Sequence, residues 1–314
     1  MLISLRARLD GRTPVAFAGH VFLSKIANIY RYNYNYIYAR RPDLSCTGSR
    51  DLKKSLSNAK AKITSIFGAS ADGAEAAAER AFQATVRTRD RYWAAIGAVE
   101  SNVVARISPS LTGDGPDWPT TRQACMIIRR DRSIILATDG MSDPFDLIEG
   151  EGNGFGMELF LETSDIPADL AGEQGDPGPI WHSWAYALLE RTAATVAEAG
   201  GYVPRLDRHE VMSIEFPGVR RSWPASGQLP ERFVTDDDCI GALIGRPDPD
   251  FPTRLDDMPL SPVRMVPVVL ITAAELEYVR EGGAAARREL TARLAASPSG
   301  HRADLNRLSL VGKD

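Results

Sequence analysis

Two apolar runs of strand length, ACMIIRR (124–130) and SIILAT (133–138), stand either side of a polar break around Asp131. Neither is long enough for a packed helix, so the pair predicts a β-hairpin, and a hairpin is stable only with further strands beside it. Those strands are legible downstream. GMELFLET (156–163) alternates, placing Met157, Leu159 and Leu161 on one face and Glu158 and Glu162 on the other. HEVMSIEF, CIGALIG and VRMVPVVLI (209–216, 239–245, 263–271) are three more. Pro267 inside the last predicts an edge or a bulge, because proline has no N–H for a ladder. Helix signals lie between. One helix opens near Ala71, with Phe82, Val86, Trp93 and Ile96 as its apolar stripe. A second, in 180–199, has Trp181, Trp184, Leu188, Thr192, Val196 and Ala199 at buried-stripe spacing, and Gly200–Gly201 stop it. TAAE (272–275) is a capping box, and its helix resumes after Gly282–Gly283. The expectation is an α+β fold, with a mixed, largely antiparallel sheet and packed helices.

Charge divides the chain differently. Residues 1–62 carry 12 Lys/Arg against 3 Asp/Glu, and the remainder 25 against 38. A basic head of +9 therefore precedes an acidic body of −13. In the head, Tyr30, Tyr32, Tyr34, Tyr36 and Tyr38 fall at period two, so an extended strand would place all five rings on one side. Basic residues with aromatics could stack on single-stranded nucleic acid, but no recognised nucleic-acid motif surrounds them, and nucleic acid is not the expected partner. The expected division is a poorly ordered basic extension over 1–70, a domain over 71–300 and a tail over 301–314. Three scattered cysteines, Cys46, Cys125 and Cys239, form neither a disulfide framework nor a zinc spacing. No apolar run approaches the ~20 residues of a membrane span. Cytoplasm is the expected compartment, without a membrane partner.

ATDGMSDPF (137–145) is the stretch closest to catalytic chemistry. It resembles the TDG-x-x-D motif of metal-dependent serine/threonine phosphatases, in which carboxylates hold a metal pair that activates water. The companion D-G-H-G and G-D-S-R segments are missing. Asp139, Gly140, Asp143 and Pro144 are therefore read as a structural turn, held by side-chain-to-backbone bonds, with a hydrolase at Asp139 and Asp143 as the alternative. The four histidines are scattered, and GNGFG (152–156) leads into a strand rather than the helix a phosphate loop needs. No catalytic residue, metal or cofactor is expected.

Residues 150–297 resemble the Suppressor of fused family. The resemblance is carried, in order, by GNGFGMELFLET, by the Trp-anchored helix WHSWAYALLERTAATVAEAGGYV, and by CIGALIGRPDPDFPTRLDDMPLSPVRMVPVVLITAAELEYV. Upstream, WPTTRQACMIIRRDRSIILATDGMSDPFD is similar to the front half of bacterial members. The resemblance implies a non-catalytic protein-binding domain, not an enzyme. Animal members restrain a transcription factor, and bacterial members are thought to act as immunity proteins against toxin domains. The acidic body suits a basic toxin partner. Trp118 and Trp223, each before a loop proline, and Asp236, Asp237 and Asp238 are the candidate contacts. Trp181, Trp184 and Leu188 are the candidate core of the central helix.

Overall fold

The computed structural model describes residues 70–100, 104–107, 118–119, 122–144, 152–176, 178–223 and 225–312. The tyrosine-rich stretch, the basic residues of the head and the order expected of 1–69 lie outside the described residues. The chain divides into Met1–Ala71 and Asp72–Asp314, and the architecture below is that of the second unit.

Its elements run α1 (Ser70–Ala94), β1 (Ala98–Val99), β2 (Val104–Ile107), β3 (Arg122–Arg129), β4 (Ile134–Asp139), β5 (Met157–Thr163), α2 (Ala168–Ala171), α3 (Trp184–Glu198), α4 (Val203–His209), β6 (Met212–Pro217), α5 (Val219–Ser222), β7 (Cys239–Ile244), β8 (Arg254–Leu255), β9 (Val263–Ile271) and α6 (Ala273–Ala296). This is an α+β fold. The sheet order is β1-β3-β4-β5-β9-β7-β6, with β2 also on β3 and β8 on β9. β3 and β4 form the hairpin expected from the two apolar runs, in register Ile127↔Leu136. Among the described residues all strand pairings are antiparallel except β5 with β9, which is parallel over Met157↔Arg264 to Phe160↔Pro267. Among the described residues no helix is long and apolar enough to cross a membrane.

Alternation sorts the side chains to two faces, and helices cover both. On one face Ile127, Leu136, Leu159, Leu161, Val268 and Ala242 pack under α3, with Trp184 and Leu188 at 0% and 1% exposure. On the other, Trp93 of α1 covers Ile128, Ile135 and Phe160. Farther along that face, Leu276, Val279, Leu290 and Leu294 of α6 cover Leu243 and Val269. Both faces of β5 are covered and every residue of the strand is buried: Glu158 lies near Arg89 of α1, and Glu162 meets Arg130, Ser133 and His301. Pro267 requires correction. It sits in a central strand, at the last pair of the β5 ladder, and the β7 ladder begins one residue later at Ile244↔Val268. The strand changes partners where an N–H is missing.

Two elements follow their local chemistry closely. Gly200 and Gly201 take φ of 69° and 92° at the end of α3, a left-handed backbone that suits glycine. At α6, the Thr272 hydroxyl accepts from the Glu275 N–H, and the Glu275 carboxylate accepts from the Thr272 N–H. Gly283, at φ 56°, kinks the helix. Thr272→Ala is expected to lower stability by about 1 kcal/mol in urea denaturation. A change under ~0.3 kcal/mol would mean the box is idle.

The segment after α6 is not a tail. Ala303 and Leu305 are buried, the Ala303 N–H donates to the Glu162 carbonyl, and Arg307 makes a buried ion pair with Glu275 at 2.6 Å. Arg307 also donates to the Leu270 carbonyl. The segment thus lies along β5 and β9 beyond the point where their pairing stops.

Candidate functional site

The TDG-x-x-D stretch ends β4 and turns at Gly140, whose φ is 142°. Asp139 and Asp143 are 1% and 0% exposed. Between them lies Arg89 of α1, itself fully buried. One terminal nitrogen of Arg89 donates to Asp139 Oδ1 and Asp143 Oδ1, both at 2.7 Å. The other donates to Ser142 Oγ at 2.9 Å and lies 3.5 Å from Glu158 Oε1. Glu158 closes the turn from beneath. Its carboxylate accepts from the N–H groups of Gly140, Met141 and Ser142 and from the hydroxyls of Thr138 and Ser142.

Three carboxylates therefore surround one guanidinium. Burial works against the Arg89 charge, but Asp143, Asp139 and Glu158 outweigh it and hold the group protonated more firmly than in water. Burial pushes the Glu158 carboxyl above the usual range, against the pull of Arg89. Asn153 braces the same turn. Its amide donates to Thr85 Oγ1 of α1 and to the Ser142 carbonyl, and its Oδ1 accepts from the N–H groups of Leu260 and Ser261. Asn153 of the GNGFG stretch is thus a buried brace. The Arg89 guanidinium occupies the space between these carboxylates and pairs with them. Their sequence signal was present: Thr85, Arg89 and Trp93 follow one another at helical spacing, an arginine inside an apolar stripe.

The candidate contact residues separate. Trp223 is 3% exposed. Its ring lies 6.0 Å from that of Phe216, and the Arg191 guanidinium lies 4.9 Å from it. It is a plug in the core, which corrects its reading as a contact residue. Trp118 is half-buried against the α3 core. It walls a shallow apolar cleft of about 120 Å³ with Cys125, Tyr186, Leu189 and Ala193. Asp236 and Asp237 are exposed. The Thr235 hydroxyl and then Arg280 hold the Asp237 carboxyl below the usual range. Asp238 is half-buried at φ 65° and accepts from the Arg220 N–H, so it shapes its loop.

Trp181 also requires correction. It belongs to a 3-10 turn, Gly178–His182, that precedes the α3 N-cap Ser183. The residue is 52% exposed, and its ring stands edge-on to that of His182. Ala199, at the other end of the expected stripe, is exposed as well. Spacing carried both into the stripe, and helix capping takes both out.

A second charged cluster had no sequence signal. Arg130 after β3, Glu162 on β5, Asp250 before β8 and His301 after α6 converge from four separate segments. His301 Nε2 lies 2.7 Å from Glu162 Oε2. Arg130 bridges Glu162 and Asp250, with contacts of 2.9–3.1 Å. Burial of Glu162 is outweighed by His301, Ser133 and Arg130, so its carboxyl titrates below the usual range. Comparison with protein-family models, with characterised proteins and with solved structures gave no match.

Proposed function

We propose that this chain is a non-catalytic protein-binding domain, an immunity-type protein that binds and neutralises a basic toxin domain. The single observation that carries this reading is where the acids and aromatics lie. The carboxylates of the one hydrolase-like stretch are buried and spent on Arg89. Trp181, at 52% exposure, and the acids Asp236 and Asp237 are offered to solvent. An exposed tryptophan is a frequent anchor of an interface, and an acidic surface speeds encounter with a basic partner. Trp181 replaces Trp223 among the proposed contacts, and Trp118 stays as the wall of an apolar cleft. The resemblance to the Suppressor of fused family supports the same reading.

The test is capture of basic toxin domains encoded beside this gene, followed by titration of the complex against salt. Affinity should fall at least ~10-fold between about 50 and 300 mM salt. Trp181→Ala should weaken binding by a further ~10-fold or more. Binding indifferent to both would remove Trp181 and the exposed acids as contacts, and failure to capture any such domain would remove the immunity reading.

A further inference from the structure

Glu162, Asp250 and His301 each offer one ligand atom, and these atoms lie within 4.8 Å of one another. We infer that they form a site for a divalent cation of the zinc class, at present held by the guanidinium of Arg130. The donor set is one imidazole and two carboxylates, a mixture that suits Zn²⁺ better than the hard cations Mg²⁺ and Ca²⁺. Donors bound at about 2.0–2.2 Å lie roughly 3–4 Å apart around one ion. The His301–Glu162 pair must open slightly from 2.7 Å, and Asp250, on an exposed loop with a side chain 63% exposed, must close.

Exposure also favours exchange. Arg130 is free to leave in a way that Arg89 is not. Arg89 is fully enclosed among three carboxylates. The Arg130 side chain is 26% exposed and borders an open cleft of about 230 Å³ lined by polar and apolar residues, among them Arg132, Ser133, Ile134, Thr163 and Ile166. The His301 ring is already oriented, with Phe160 and Phe251 set edge-on to it at 6.2 and 5.9 Å. A bound ion would join β5, the loop before β8 and the segment after α6, and so act as a structural clasp.

The experiment is calorimetry of the untagged, chelator-stripped full chain with ZnCl₂, with thermal denaturation in parallel. Wild type should bind one Zn²⁺ per chain in the micromolar range. The melting temperature should rise by about 5–10 °C at a hundredfold excess over Kd. Arg130→Ala removes the competing cation and should bind at least ~10-fold tighter. His301→Gln should abolish binding. Asp250→Asn, at an exposed position that leaves packing alone, should weaken it at least ~10-fold, and this variant decides the matter if His301→Gln does not fold. Absence of binding in both wild type and Arg130→Ala, or binding that survives Asp250→Asn unchanged, would overturn the proposal. The latter result would place the metal on a cysteine or elsewhere.

Discussion

Replacing Arg89 with methionine is expected to cost about 3–5 kcal/mol of stability, the usual penalty for removing one partner of a buried ion pair. Here the partners are Asp139, Asp143 and Glu158, all buried. Methionine nearly fills the volume but leaves three carboxylates without their cation. In urea the midpoint should fall by about 2 M at an ordinary slope for a domain of this size. Arg89→Lys should also be costly, because an ammonium cannot reproduce the planar fork that reaches both aspartates and Ser142. Arg89→Met/Asp139→Asn/Asp143→Asn should recover at least half the loss, since two of the stranded charges are gone. An Arg89→Met protein within ~1 kcal/mol of wild type would mean that the carboxylates are satisfied without Arg89, and the metal reading of the turn would return.

Gly154→Ala is expected to be of similar size for a different reason. Gly154 has φ of 50°, and a Cβ there would lie 2.5 Å from the Met141 carbonyl oxygen and 2.6 Å from that of Asp143. The left-handed backbone costs alanine about 1–2 kcal/mol. The two oxygens are backbone atoms of the turn that Arg89 and Glu158 hold in place, so they cannot retreat cheaply. A total near 3 kcal/mol or more should appear in denaturant melts. Gly175→Ala is the control, with a positive φ of 92° and nothing within 4 Å of its Cβ, and it should show only the backbone penalty. Equal losses for the two variants would argue that Gly154 matters for conformation alone.

The elements were legible because their signals are local. The hairpin at Asp131, the capping box at Thr272 and the glycine stop after α3 each depend on residues within a few positions. What was not legible depends on covering layers and distant partners. A period-two pattern such as GMELFLET is compatible with one wet face. Whether Glu158 and Glu162 meet water or a helix is decided by α1 and by residues 299–312, far along the chain. Trp181 has helical spacing to Trp184, but Ser183 caps α3 and leaves Trp181 outside it. Pro267 reads as an edge until the change of partner at that residue is seen. The Asp139 turn could be found from its motif, though not its cation, and the Arg130, Glu162, Asp250 and His301 cluster has no local pattern at all.

The parallel seam between β5 and β9 also bears on the order of assembly. Phe160 and Pro267 are partners across it, yet the whole of 161–266 must be closed into a loop before they meet. The hairpin of β3 and β4 closes over a four-residue turn and repays its entropy at once. Loop closure therefore makes the seam the slow contact of this topology. It also divides the sheet into two antiparallel halves, β1 to β5 and β6 to β9, that can each gather locally. The segment after α6, bonded to Glu162 on one side and Leu270 on the other, can take its place only once both halves have met. It works as a latch on the finished sheet, fastened after the join is made.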